Sequence, residues 1–170
     1  RLYQAGFSPN LVERPRLEKH LQKVLNDVVK MRGLITPASK ETHIQKAIFE
    51  AIQTVSRNLV CMLELQINAY WSSRPGHFVM LNAHTLRETQ QMTQQTLLTI
   101  AHALYEGNPQ PIRANTEKLN DIVAELRELM KEHQGDSLAE TPIHGYVWLT
   151  IELARQLELL SNLICRALRK

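Results

Sequence analysis

Seven histidines, two cysteines and the acidic side chains are the residues of this 170-residue chain that could hold a metal or act as nucleophiles. Helical proteins with a two-metal centre use Glu-x-x-His pairs, in which the acid precedes the histidine by three residues. None of the seven histidines has an acid there; the residues found are Leu17, Lys40, Arg74, Leu81, Thr99, Met130 and Thr141. His-Glu-x-x-His, Cys-x-x-Cys, phosphate-loop and Gly-x-Ser-x-Gly motifs are also missing. We therefore predict no catalytic residue, no metal ligand and no cofactor, and we expect a protein that is not an enzyme.

The most distinctive local cluster is NAYWSSRPGHF at residues 68–78, which brings together Tyr70, Trp71, Arg74 and His77 beside a Pro-Gly break. Aromatic rings that stack on a ligand, together with an arginine that binds its carboxylate, could hold an aromatic acid. In the alternative interpretation, the two aromatic residues cap the core and the two basic residues lie on a solvent-exposed loop.

The two cysteines and a second aromatic pair allow further expectations. Cys61 and Cys165 lie in apolar stretches, so we expect buried thiols in a reducing compartment rather than a disulfide. Tyr146 and Trp148 begin the last predicted helix, and we expect Trp148 in the core. This pair need not lie near the first one, because successive helices of an up-and-down bundle alternate in direction.

The elements that position these residues are predicted to be helical. Hydrophobic residues make up 44% of the chain and aromatic residues 5%, while only 6 glycines and 7 prolines occur. A composition of this kind, with few turn residues, favours long helices over a β-sandwich. We predict an all-α fold: one domain over residues 1–170, built as an antiparallel bundle of about five long helices.

Hydrophobic spacing at three- and four-residue steps places the helix boundaries. The first helix is predicted from Pro15 to Gly33, followed by a turn at LITPAS, and the second from an N-cap at Ser39 to Trp71. The others are predicted over about 77–106, 111–133 and 141 to the end. Residues 59–71 of the second helix are apolar almost all round, so they are expected in the core or in a contact surface.

Positive charge is concentrated at the start of the chain, although the whole chain has a formal charge of only +3. Residues 1–33 hold seven basic and three acidic residues, whereas the remainder holds 13 and 14. An anionic neighbour, nucleic acid or a membrane surface, would explain this bias, and a solvated helix face would explain it equally well. Interleaved acids and few aromatics argue against nucleic acid.

The longest strictly apolar run, LVCML at 59–63, is far shorter than a membrane span of roughly 20 residues, so we expect a soluble chain.

Several segments of the chain carry a resemblance: FSPNLVERPRLEKHLQKVLNDVVKMRGL, ITPASKET, RNLVCMLELQINAYWSSRPGHF, HALYEGNPQP, ANTEKLND and LELLSNLICRALRK. Together they resemble the C-terminal part of members of the fusaric acid resistance (FUSC) family, which is related to the aromatic carboxylic acid exporters. The resemblance covers nearly the whole chain and involves no catalytic motif. In that family a multi-helix membrane domain precedes a helical cytoplasmic domain, so Arg1 would follow the last membrane span.

The resemblance implies a function for the whole protein and a location for this part of it. The implied function is ion-gradient-driven efflux of aromatic acids or similar small toxic compounds, at the cell inner membrane with this domain on the cytoplasmic face. The domain itself would be structural, regulatory or oligomerising, with its own transmembrane domain, an anionic lipid surface and further copies of itself as partners. The basic residues expected near the membrane are Arg1, Arg14, Arg16, Lys19 and Lys23. The alternative is a helical binding module that senses a small aromatic carboxylate. The family supplies no binding residues for this part of the chain.

Overall fold

The computed structural model describes residues 14–72, 84–132 and 141–169, and the regular structure in these ranges is entirely helical. The helices are α1 (Arg14–Thr42), α2 (Lys46–Ser72), α3 (His84–Glu106), α4 (Gln110–Glu132) and α5 (Thr141–Ala167). The prediction of an all-α bundle with about five long helices is therefore confirmed.

The predicted boundary between the first two helices was wrong. Instead of ending at Gly33, α1 continues through LITPAS to Thr42 with Pro37 inside it, and α2 begins at Lys46. Proline removes one backbone hydrogen bond from a helix, but Ile35 on the same turn is buried beside α2, and this burial favours the continued helix. The chain turns at His43, whose φ of 59° is the left-handed conformation that commonly ends a helix.

Side chains at this turn satisfy backbone groups that the ends of the two helices leave open. The Ser39 hydroxyl, which the sequence suggested as an N-cap, instead donates to the carbonyl of Ile44 at 2.8 Å. The Thr42 hydroxyl donates to the carbonyl of Ala38 at 2.7 Å. The first bond joins the end of α1 to the residues just before α2, and the second lies within the last turn of α1, so both stabilise the new boundary.

The later boundaries agree with the spacing in the sequence. Gly107, with a φ of 70°, ends α3, and the side-chain oxygen of Asn108 accepts a hydrogen bond from the backbone N–H of Gln110 at 3.1 Å. This pairing is an N-cap for α4. The predicted limits of 111–133 and 141 onward differ from α4 and α5 by no more than a few residues. The predicted start of the third helix near His77 lies outside the described residues.

Helix α5 lies at the centre of the bundle, in contact with α2, α3 and α4, whereas α1 makes its extensive contacts with α2. The fully buried side chains of α5 include Tyr146, Leu157 and Ile164, and those of α4 include Ile112 and Leu119. Leu157 and Ile164, like Ile112 and Leu119, are seven residues apart and therefore lie on one face of their helix. Each helix therefore buries the face that its 3.6-residue periodicity indicates.

Two residues expected in the core are on the surface. Cys61 is exposed because Leu59, Val60 and Leu63 occupy the inward positions around it, whereas Cys165 is buried as expected. Trp148 is 56% exposed because Tyr146 and Val147 occupy the inward positions of its turn. Residues 59–71 contribute both to the core and to the surface, since Leu59, Leu63 and Ile67 are buried while Leu65 is 55% exposed.

Candidate functional site

The outward side of α1 carries a row of cations, which we call the basic face: Arg16, Lys19, Lys23 and Lys30. At 100° per residue these four positions fall within an arc of about 60°. Leu17, Leu21 and Val28, which are buried, point about 150° away from it. Because α1 packs extensively against α2 alone, the basic face remains exposed.

The four side chains of the basic face make no hydrogen bond or ion pair with another residue in the described ranges. The face extends for about 21 Å along the helix axis. Leu34, which is 64% exposed, continues the same row one turn beyond Lys30. The basic face is thus a row of unpaired cations that ends in an exposed apolar side chain, with the exposed acid Asp27 between Lys23 and Lys30 beside it.

Three of the five residues predicted near a membrane, Arg16, Lys19 and Lys23, are thus brought together on one face. Arg14 is the first residue of α1, and Arg1 lies outside the described residues. Sequence reasoning missed Lys30. Lys30 lies seven residues, or two helical turns, after Lys23. This spacing predicts that the two lysines share a face of the helix.

The predicted aromatic-acid site is only partly covered by the structure. Tyr70 and Trp71 belong to the last turn of α2. Arg74 and His77 lie outside the described residues, so the site stays a prediction.

The position of α5 brings a second pair of aromatic residues to the same end of the bundle. The Gln66 amide donates to the Thr150 hydroxyl at 2.7 Å, which sets the antiparallel register of α2 and α5. Tyr70, one turn after Gln66, is therefore level with Tyr146, one turn before Thr150. The sequence had left the relative position of the two pairs open, and the structure places them at one end.

The two members of the second pair have different environments. Tyr146 is fully buried, and its hydroxyl accepts a hydrogen bond from the side-chain amide of Gln90 on α3 at 2.5 Å. Trp148 is exposed and could contact a ligand from solution. Trp148 is therefore the accessible member of the pair, while Tyr146 contributes to the packing of α3 on α5.

A layer of polar side chains inside the bundle is the feature that sequence reasoning missed. Gln66, Thr89, Thr93, Thr96 and Thr150 are all buried. Threonine hydroxyls can donate to the carbonyl one turn earlier in their own helix, as Thr93 does to Thr89 and Thr96 does to Met92, each at 2.7 Å. The spacing of the α3 threonines at 89, 93 and 96, in line with Ile100 and Ala103, marks an inward stripe that an apolar count overlooks.

Some atoms in the interior lack a partner among the described residues: Oε1 of Gln66, Oε1 of Gln156 and Oγ of Ser161. A buried polar atom without a hydrogen bond costs about 1–3 kcal/mol of stability. None of these atoms lies in a group of acids, histidines or cysteines arranged for metal binding, since no such group occurs in the ranges that the structure describes.

One ion pair on the outer side of α5 has a defined electrostatic effect. Arg155 donates hydrogen bonds to the carboxylate of Glu152, and Gln156 donates a further one at 3.3 Å. The bonds from Arg155 are the main reason why the pKa of Glu152 is lowered from its ordinary value, and partial burial opposes them. The same pairing raises the pKa of Arg155. The carboxylate is therefore held ionised on the protein surface.

Two grooves lie between α1 and α2, and they differ in charge. The first, of about 310 Å³, has apolar walls that include Leu21 and Ile67, with Glu18 and Glu64 among its lining residues. The second, of about 430 Å³, is lined by polar residues and includes Arg32, Lys46 and Arg57. Both are open grooves on the surface of the helix pair, and the second is the more basic.

The described residues form an all-α bundle in which α1 exposes a basic face. No described helix has both the length and the apolar content that crossing a membrane requires. A helical bundle supports many functions, so the fold alone does not identify one.

Comparison with known proteins adds one strong likeness. The chain is 72% identical, over all of its 170 residues, to Inner membrane protein YeeA of Escherichia coli (strain K12). It spans 48% of the length of that protein. No family model matches the chain, and no solved structure matches it. The chain is thus a homologue of part of an inner membrane protein, and its membership of the FUSC family stays a prediction.

Proposed function

We propose that this chain is the cytoplasmic helical part of an inner-membrane, transporter-like protein of FUSC type, with a role in the efflux of aromatic acids or similar small toxic compounds. The observation that supports this most is the 72% identity over the whole chain to an inner membrane protein of which the chain spans 48%. The other half of such a protein would contain the membrane-spanning helices and the transport pathway. The part described here would be non-catalytic, with a structural, regulatory or oligomerising role.

The basic face of α1 supports a position at the cytoplasmic side of the membrane. Cytoplasmic segments close to a membrane span carry an excess of lysine and arginine, and each such residue gains about 1 kcal/mol near an anionic lipid surface. Arg16, Lys19, Lys23 and Lys30 face one direction and are unpaired among the described residues. They could therefore all contact lipid at once.

The proposed partners are the protein's own membrane half, anionic lipid and further copies of the same protein, and they do not include nucleic acid. For contact between copies, Leu65 on α2 is an accessible apolar side chain in the stretch 59–71. For contact with lipid, the basic face is the candidate. Outside residues 1–33 the chain holds 13 basic and 14 acidic residues, so its overall charge there does not favour nucleic acid.

The first test concerns the location of the endogenous protein, detected with an antibody against this chain. We expect the antigen to pellet with membranes, to resist extraction by high salt and to dissolve in detergent, at about twice the mass of the present chain. Protease added to inside-out vesicles should digest the epitope, and protease added to right-side-out vesicles should leave it intact. An antigen found in the salt-extracted supernatant near 20 kDa would contradict the proposal.

The second test concerns the basic face, with purified chain and vesicles of either phosphatidylcholine alone or phosphatidylcholine with about one-third phosphatidylglycerol. The double variant Lys19→Gln/Lys23→Gln should lose about tenfold or more of its affinity for the anionic vesicles. The matched control is Arg113→Gln/Lys118→Gln, which removes the same charge from the exposed side of α4. Equal losses in the two variants would show that net charge, and not the basic face, governs binding.

A second candidate function is the sensing of an aromatic carboxylate at the end of the bundle where α2 ends and α5 begins. It is supported by the register that sets the Tyr70 turn level with Tyr146, beside the exposed Trp148. A hydroxybenzoate should then quench tryptophan fluorescence saturably, and Arg74→Ala should abolish the quenching. Arg87→Ala, at an exposed position of α3, is the control. If quenching of the wild-type protein rose linearly with ligand concentration and did not saturate, the sensing function would be contradicted.

A further inference from the structure

The second groove between α1 and α2 has the features of an anion-binding site. Its walls are formed by Arg32, Ile35 and Thr36 of α1 and by five residues of α2. The α2 residues are Lys46, Glu50, Gln53, Thr54 and Arg57. Three cations, two hydroxyl groups and one amide therefore line a single groove of about 430 Å³, within the size range of small-molecule sites.

The charges of the groove are only partly neutralised by the protein. Glu50 is the single acid among the lining residues, and it pairs with Lys46 at 3.6 Å. Arg32 and Arg57 make no hydrogen bond or ion pair with any residue in the described ranges. Guanidinium groups are the side chains best suited to bidentate binding of carboxylate or phosphate. Two of them, from different helices, are thus available in the same groove.

The register of the two helices determines how these arginines are arranged. The side-chain amide of Gln53 donates to the backbone carbonyl of Val28 at 3.3 Å, so these two residues are level. Arg32 follows Val28 by one turn and Arg57 follows Gln53 by one turn, in antiparallel helices. Their Cα atoms are therefore about 12 Å apart along the axis, on either side of this hydrogen bond. Both arginines line the same groove at this separation, so one ligand can be bound by both of them.

The start of α2 adds to the positive potential. Lys46 is the first residue of α2, and the first turn of this helix contains no acid. The N-terminal end of a helix carries a partial positive charge from its unpaired N–H groups. One end of the groove is therefore more positive than the other, because Arg32, Lys46 and the N-terminus of α2 lie there. At the other end Arg57 supplies the positive charge.

We propose that this groove binds a small organic or inorganic anion with two or more phosphate or carboxylate groups. Arg32 and Lys46 hold one end of the ligand, and Arg57 holds the other. Because Arg32 belongs to α1 and Arg57 to α2, the bound ligand bridges the two helices and reinforces the attachment of α1. This inference does not depend on the proposed membrane function, since the groove is formed within the present chain.

The test is isothermal titration of the purified chain with pyrophosphate and, separately, with citrate, at about 0.1 M sodium chloride to screen non-specific attraction. We expect saturable binding of at least one of the two probes with one site per chain. Pyrophosphate binding alone would assign phosphate groups, and citrate binding alone would assign carboxylate groups. The proposal would be overturned if neither probe bound saturably at concentrations up to about 10 mM. The dissociation constant would then be weaker than that of most specific sites.

Charge-matched variants then distinguish the groove from general attraction. Arg32→Gln and Arg57→Gln should each weaken binding about tenfold or more, whereas Lys118→Gln, which removes one charge from the exposed side of α4, should change it less than about twofold. Equal weakening by all three variants would overturn the proposal even if binding is saturable. Far-ultraviolet circular dichroism of each variant checks that the exposed substitution has left the helices intact.

Hydrogen exchange provides an independent readout. A saturating concentration of the probe should slow hydrogen exchange in α1 of the wild-type protein, and it should not slow exchange in α1 of the Arg57→Gln variant.

Discussion

Helices α1 and α5 have nearly equal lengths, 29 and 27 residues, but they have opposite roles in the molecule. Three helices pack against α5, and its inward face is almost fully buried from Tyr146 to Cys165. Helix α1 packs extensively on α2 alone, and its buried residues are spaced a turn or two apart at Leu17, Leu21, Val28 and Ile35. Burial of apolar area is the dominant stabilising contribution to a fold. The comparison therefore indicates that α5 holds the bundle together, while α1 is available for contacts outside it.

The difference in packing has a consequence for dynamics. Regions with few buried contacts open locally at a lower free energy than the core does. The basic face and both grooves involve α1, so the surfaces to which we assign binding lie on the less tightly held part of the protein. A ligand or lipid that stabilises α1 on α2 would change a local equilibrium without disturbing the α5-centred core.

The largest effect is expected from a cavity in α5. Leu157→Ala removes a fully buried side chain from the centre of the bundle and should reduce the free energy of unfolding by about 2–5 kcal/mol. Leu159→Ala is the control on the same helix, because Leu159 is 40% exposed and its truncation should cost less than about 1 kcal/mol. Urea unfolding followed by circular dichroism measures both values. Equal costs would show that α5 is not the central element.

A smaller and local effect is expected in α1. Leu21→Ala truncates a buried side chain that already borders an open groove, so neighbouring groups can relax and the cost should be at the low end of the range for such substitutions, about 2 kcal/mol. Native-state hydrogen exchange should become faster in α1 and remain unchanged in α5. Leu34→Ala, at an exposed position of the same helix, should leave both unchanged. Faster exchange in α5 as well would mean that the two helices unfold as one unit.

The smallest effect is expected at the surface of α5, and it depends on pH. Hydrogen bonds from Arg155 hold the pKa of Glu152 below its ordinary value. A carboxylate with a lowered pKa stabilises the fold fully above its unfolded pKa, and this contribution is lost as the pH falls through the folded value. Stability measured from pH 6 down to about pH 3 should therefore decline slightly more in wild type than in Glu152→Gln or Arg155→Gln. Identical declines in all three proteins would contradict the assigned ion pair.

The periodicity of residues within each helix was the most reliable basis for predicting the structure from the sequence. The stripe through Leu119, Val123 and Leu126 predicted the buried face of α4, and the same reasoning applied to cations predicts that Arg16, Lys19 and Lys23 share a face. Both follow from the fixed rotation of 100° per residue, which neighbouring residues alone determine. Turn residues were less reliable. Gly33 and Pro37 suggested a break, but the burial of Ile35 beside α2 favours a continuous helix.

The sequence by itself determined that this protein is an all-α bundle and that positive charge is concentrated in the first part of the chain. Only the tertiary structure decided which buried positions could be polar, such as Gln66 opposite Thr150, and which aromatic residue of a pair would be exposed. It also decided that Arg32 and Arg57, 25 positions apart in the chain, would line one groove. The physical reason is that the register between two helices depends on the sum of many contacts between distant residues, whereas the face of a single helix depends only on local spacing.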